Sequence, residues 1–302
     1  MLFIIAFFVY PKENHVKKVL SNVGKNIGVI LLSIVVLILG SIMQSLCELI
    51  FSGYYLQLII PSLIGIVTTV VLAWLVSSKL LKMDAKELGL KTGKTEIKYM
   101  LISVGLPVFV LVFYAYILPG KAYIAKPGEF VKSLITAFFS VGITAGICEE
   151  VIFRGMIFRY MKKTLGTKAA IIVPSVLFAC VHITNMETFD VVDLLILLLA
   201  GSSVAVMFTM FTYVSDSLLP GALTHTLWNT LIIGGFFGIG EIVNGTANES
   251  YIIIPIMSSS KFLTGGNFGV EAAIPASVGY ILATVLIIII SKKHTAKEKI
   301  GK

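Results

Sequence analysis

Apolar residues run along this chain in long blocks, not in the period-3.6 stripes or period-2 alternation of a soluble domain. Eight blocks stand out, at about 27–50, 55–77, 98–118, 129–153, 168–186, 191–212, 220–239 and 273–290. About 20 apolar residues suffice to carry a helix across a bilayer. The pattern therefore predicts an all-α fold, a polytopic transmembrane helix bundle of about eight spans. The first ten residues, MLFIIAFFVY, are apolar but too short to span. With no basic stretch before them and no small-residue cleavage site after them, they do not read as a cleaved signal peptide. They suit an interfacial segment, or a helix that begins earlier.

Polar connections sort the chain into three parts without a linker or an internal repeat. Residues 1–128 hold the first spans and their connections, 129–240 a core with polar residues inside its spans, and 241–302 an outer segment, a last span and a basic tail. The stretch 240–272 is rich in Gly, Ser and Asn yet contains YIIIPIM, which suits either a re-entrant hairpin or a cap.

Composition strengthens the membrane reading. The chain of 302 residues is 57% hydrophobic and 13% charged, with mean hydropathy +0.97. Soluble domains carry roughly twice that charge, so a disordered chain and a disulfide-stapled module are excluded and a soluble enzyme is disfavoured. The net charge of +8 comes from lysines in the connections. Residues 11–26, 78–98, 154–168 and 292–302 are rich in basic side chains, whereas the alternate connections hold few. This is the positive-inside pattern. It predicts a multi-pass cell-membrane protein with the lipid bilayer as its surroundings, both termini cytoplasmic, and no nucleic-acid partner. Cys47, Cys148 and Cys180 lie in apolar runs without metal-binding spacing and read as small packing residues.

Ionisable groups inside spans are costly and mark sites of chemistry. Three clusters qualify: Glu149-Glu150-x-x-x-Arg154, Phe178-x-x-x-His182 and His225-x-x-x-Asn229. Glu150 and Arg154, at i and i+4 with the acid first, suit an ion pair on one helix face. Glu149 is turned about 100° away, which leaves it free for reaction. Glu149 lies 16 residues before Leu165, at a turn, and His182 lies 16 after Gly166. Equal counts from a helical hairpin's turn give equal depth, so the two can meet. His225 sits closer to its own turn, near Ser215–Leu219. It joins them only if the helix around Arg159 projects beyond the membrane.

Two imidazoles, a carboxylate and an amide form a hydrolytic set. In one version His182, His225 and Glu149 or Glu150 hold a metal, with water in the open position. In the other a carboxylate takes a proton from water, and the histidines and Asn229 stabilise the oxyanion. Both attack an acyl carbon.

On these residues the sequence resembles the intramembrane CAAX-protease and bacteriocin-processing family, which includes the type II CAAX prenyl endopeptidases. The family pattern E-E-x-x-x-R, F-x-x-x-H, H-x-x-x-N is met at every position, with F-R-G after the glutamates and S-D-S-L-L-P-G-A-L-T-H-T-L-W-N around His225. The resemblance covers about residues 130–239. It implies a membrane-embedded endopeptidase whose site opens toward the cytoplasm. Glu149 would activate water, and Glu150 and Arg154 would form an orienting pair. His182 and His225 would act as metal ligands, with Glu149, or as transition-state stabilisers, and Asn229 as an oxyanion donor. The implied cofactor is Zn2+, although a metal-free glutamate mechanism fits the same residues. The implied substrate is a peptide or protein reached from the cytoplasm or the membrane, either a prenylated protein or a bacteriocin precursor. The low arginine content suits the latter. Two other classes compete: a non-catalytic immunity or scaffold protein that binds a peptide or partner, and a proton-relaying transporter, which no inverted repeat supports.

Overall fold

The computed structural model describes residues 13–90, 97–117, 120–186, 189–240 and 250–300. Seven helices among them are long and apolar enough to cross a membrane. In chain order these are α1 (Glu13–Glu48), α2 (Tyr54–Lys79), α3 (Ile97–Tyr116), α4 (Phe130–Leu165), α5 (Thr167–Val181), α6 (Val191–Ser215) and α9 (Ile274–Ile300). They carry exposed Leu, Ile, Val and Phe on their outer faces, as on Leu31, Val35 and Ile42 of α1 or Leu282 and Leu286 of α9, which is the surface that lipid solvates.

The block at 220–239 departs from the eight-span expectation. It forms α7 (Leu219–Trp228), continued by a π turn at Asn229–Ile233 and ended at Gly234. At 1.5 Å per residue this helix reaches only about 22 Å, short of the roughly 30 Å hydrocarbon core. Apolar composition alone hid the stop, because Gly234, Gly235 and the strand that follows are as hydropathic as a helix. The short stretch MLFIIAFFVY lies outside the described residues.

Short connections make the helices alternate in direction and give the bundle two distinct ends. At one, the basic end, Arg159 of α4 pairs with Asp216 after α6 at 2.8 Å, and Lys163 pairs with Glu87 after α2. Asn22 and Asn26 of α1 donate to Thr164 there, at 3.0 and 2.8 Å. At the other, the cap end, β1 (Tyr123–Ile124), β2 (Phe237–Ile239) and β3 (Ile252–Ile254) form a small sheet in the order β1-β3-β2. β1 runs antiparallel to β3, with Tyr123 opposite Ile253, and β2 runs parallel to it, with Phe237 opposite Ile252. The β-branched run of YIIIPIM forms the central strand, as its residue types favour. A short helix, α8 (Lys261–Thr264), and a turn at Gly266–Phe268 complete a cap. The outer segment is thus a cap, not a re-entrant hairpin, in its described part; 241–249 lie outside it.

The cap is fastened to the bundle by charge. Asp190 caps the N-terminus of α6, accepting from the Val192 and Asp193 amides, as Asp does at helix starts. Lys261 of α8 reaches both Asp190, at 2.9 Å, and the fully buried Asp193, at 3.0 Å. The contact holds the Asp190 carboxyl below its ordinary range and the Lys261 ammonium above its own. Tyr114 of α3 adds a hydrogen bond to the Leu263 carbonyl.

Candidate active site

Two helices must approach closely for the three clusters to meet, and small residues permit it. Gly142 and Gly146 of α4 face Thr230 and Thr226 of α7. A Cβ on Gly146 would stand 2.8 Å from the Thr226 amide nitrogen, a backbone clash. Small residues four apart let membrane helices touch backbone to backbone. On the other side of α7, a Cβ on Gly221 would come within 3.0 Å of Glu150 Oε2. Pro220 in the first turn of α7 leaves no amide unsatisfied there.

α4 is not a uniform α-helix. It widens to π turns at Phe138–Gly142 and Val151–Phe158, on either side of the segment that carries Glu149 and Glu150. Another π turn begins at Asn229 of α7. Such turns recur at functional sites because they re-aim side chains without breaking the helix. The tension over His225 is resolved at the far end of α4. That helix runs on past Glu150 to Leu165, with Arg159, Lys163 and Thr164 paired at the basic end, and Glu150 and His225 stand side by side.

The glutamates have separate environments. Glu150 is fully buried, accepts a 2.9 Å hydrogen bond from Arg154 Nη1, and stands 3.2 Å from His225 Nδ1. Arg154 also donates to the Ala205 carbonyl at 3.0 Å, and its guanidinium lies over the rings of Phe178 and Phe208, at 4.8 and 5.1 Å. Arginine's flat, weakly hydrated cation suits such a box. Glu149 is turned toward a cavity, with its Oε2 buried, without a hydrogen-bond partner, and 3.8 Å from His225 Nε2. The i, i+4 pairing and the divergence of Glu149 that the spacing predicts are therefore both present.

The histidines are held by Nδ1. His182 ends α5 and its Nδ1 donates to the Phe178 carbonyl at 2.7 Å, since a carbonyl only accepts. His225 presents Nδ1 to Glu150 and stacks on Phe208, with ring centroids 4.7 Å apart. Phe178 packs on His182 at 4.7 Å and on His225 at 6.2 Å. Both imidazoles thus keep Nε2 for another partner. Glu149, His182, His225 and Asn229 line one cavity of about 240 Å³, walled also by Phe208 and Trp228. Glu150 and Arg154 lie behind that wall. Among the described residues, however, no three His, Cys, Asp or Glu side chains stand close enough to hold one ion. Glu149, His182 and His225 share this one cavity.

Comparison with known proteins bears on this arrangement. Residues 131–231, the stretch that holds all three clusters, match the family model described as type II CAAX prenyl endopeptidase Rce1-like. That stretch is an Rce1-like domain. The match covers about a third of the chain and supports a CAAX-type intramembrane protease, and the seven apolar helices point to a multi-pass membrane protein. Neither a curated protein nor a solved structure matches the chain.

Parts of the cavity lie beyond what the motifs indicate. Phe208, on α6 within the Rce1-like domain, backs both Arg154 and His225, yet in sequence it is one apolar residue in an apolar helix. Glu271 and Tyr280 lie outside the domain and still line its cavity. Burial pushes the Glu271 carboxyl up to about 8. Only the Gly142-x-x-x-Gly146 spacing offered a sequence signal, for the close helix contact. The cavity reaches from His225 toward Asn185, Glu271 and Ala272, all at the cap end.

Proposed function

We propose that this protein is an intramembrane endopeptidase that hydrolyses a peptide bond with water activated by Glu149. One observation carries the reading: of two adjacent carboxylates, Glu150 is fully buried and held through Oε1 by Arg154 and His225, while Glu149 is partly exposed and lines the cavity beside His225 Nε2. In the reaction Glu149 accepts a proton from water as the water oxygen attacks the carbonyl carbon. The carbonyl oxygen takes up negative charge, stabilised by the Asn229 amide and by the imidazoles of His225 and His182. Glu149 then returns the proton to the amide nitrogen. The C–N bond breaks, and a carboxylate and a free amine leave. Glu150 and Arg154 act as positioning residues, through His225.

The second reading, Zn2+ on Glu149, His182 and His225, rests on the two Nδ1 hydrogen bonds, the usual support of metal-ligating histidines. Retained cleavage after dialysis against a chelator supports the first. Loss that Zn2+ restores supports the second.

The decisive experiment is mass-spectrometric profiling of a peptide library, including lipidated carboxyl-terminal peptides, with purified protein. Wild type is expected to cleave, and Glu149→Gln to lose about 10²–10⁴-fold in rate, the usual share of a general base, while keeping its fold. Cleavage by both alike would remove Glu149 from the role. A biological effect that survives Glu149→Gln would favour the non-catalytic immunity or scaffold reading.

A further inference from the structure

We propose that the catalytic cavity opens on the extracytoplasmic side of the membrane, so that its substrate is a peptide segment displayed outside the membrane or in its outer leaflet. For the word substrate this rests on the peptidase reading; for the geometry it does not.

Helix direction carries the first step. α5 leaves the basic end at Thr167 and brings His182 to its far terminus, and α9 starts from the cap at Ile274, just after Glu271 and Ala272. α4 descends from the cap end, so Val141 and Ala145, which line the cavity, lie on the cap side of Glu149. No residue of the connections at 80–90, 166 or 216–218 lines it. On the basic side it is closed by Phe208 and by the buried Glu150–Arg154 pair. A second cavity, of about 220 Å³, reaches Glu149 sideways between α1, α2 and α4 past Ser41, Gln44, Thr69 and Thr144. Of these, Ser41, Gln44 and Thr144 lie in the cap half and Thr69 near the middle of α2.

Charge carries the second step. Among the described residues, and leaving aside the buried Arg154, the basic residues belong to the basic end except Lys121, Lys126, Lys132 and Lys261. The cap end is instead marked by Glu129, Asp190, Asp193 and Glu271. Lysine and arginine in short loops keep those loops in the cytoplasm. The basic end is therefore cytoplasmic, and so are the start of α1 and the end of α9. The cavity faces away from it. A polypeptide whose cleavage site stays in the cytoplasm cannot reach Glu149, whereas one that has crossed the membrane can.

The test is cysteine accessibility of the full chain in a background with Cys47, Cys148 and Cys180 replaced. Single cysteines are placed by Asn185→Cys at the cavity, Ser259→Cys on the exposed cap and Lys86→Cys at the basic end. Each is treated with a membrane-impermeant maleimide in intact cells and in inside-out vesicles. Labelling of Ser259→Cys in intact cells, with Lys86→Cys labelled only in the vesicles, is expected. Asn185→Cys is expected to follow Ser259→Cys and to lose labelling when the maleimide is added to vesicles. The reverse pattern, or Asn185→Cys following Lys86→Cys, overturns the proposal. None of these readouts depends on cleavage, so an inactive protein with outward labelling would count against the peptidase reading alone.

Discussion

A guanidinium at 1% exposure beside a carboxylate at 0% is tolerated inside a bundle only because each group satisfies the other. Arg154 spends its donors on Glu150 and the Ala205 carbonyl and rests between two aromatic rings. Removing one partner of such a pair leaves an unmatched charge and typically costs about 3–5 kcal/mol, whereas replacing both by apolar groups is often neutral. Arg154→Met is expected to be destabilised by that order, and Arg154→Met with Glu150→Leu to recover much of it, in denaturant unfolding of the detergent-solubilised protein. Cleavage is expected to stay low in both, because the single variant leaves Glu150 without the guanidinium that holds it and the double removes the carboxylate beside His225 Nδ1. A second residue-scale expectation concerns Glu271, whose carboxyl is raised from about 4.5 to about 8 by burial. Between those values the folded chain keeps a proton that the unfolded chain has released. Stability must therefore fall as pH rises through that window. Thermal unfolding at a series of pH values should show the slope in wild type and less of it in Glu271→Gln.

The contact of α4 with α7 decides whether the three clusters meet. Gly146→Val would push a side chain into the backbone at Thr226, and overpacking of this kind costs about 1–3 kcal/mol. We expect the variant to fold with a lowered melting temperature and to lose cleavage, measured on one preparation. Thr226→Ala should not rescue it, since the obstruction is main chain. Much at this scale was legible in the sequence. The pairing of Glu150 with Arg154, the turning away of Glu149, and the common depth of Glu149 and His182 all follow from helical periodicity and from counting to Gly166. The position of His225 required α4 to run on well past Glu150, and Arg159, Lys163 and Thr164 fasten that extension to its neighbours. The stop at Gly234 was not legible, because glycine and phenylalanine keep the hydropathy high while ending the helix. Nor were Phe208 and Glu271, whose roles depend on which helices become neighbours.

Across the whole molecule, the cap is joined to α6 through the bridge from Lys261 to Asp190 and Asp193. Lys261→Ala should free the cap without disturbing the basic end. Hydrogen exchange is expected to quicken in residues 250–273 and to stay unchanged in 159–165. Acidification should loosen the same segment. Asp190 has a lowered carboxyl in the folded chain, so its contribution is complete above the ordinary aspartate range and is lost as pH falls below it. If exchange in the cap is indifferent to both changes, the sheet alone holds it.

The shortness of α7 bears on how the protein is made. A stretch of fifteen residues with His225 and Asn229 at its centre is a poor candidate for independent insertion from the translocon, where each polar residue near a helix centre weighs against entry. Its backbone beyond Gly234 must be shielded by protein instead of lipid. That shielding comes from β3 and α9, which are synthesised afterwards. The hydrolytic centre is therefore completed only when the final helix has been delivered, and a nascent chain still on the ribosome carries its glutamates with no assembled machinery to use them.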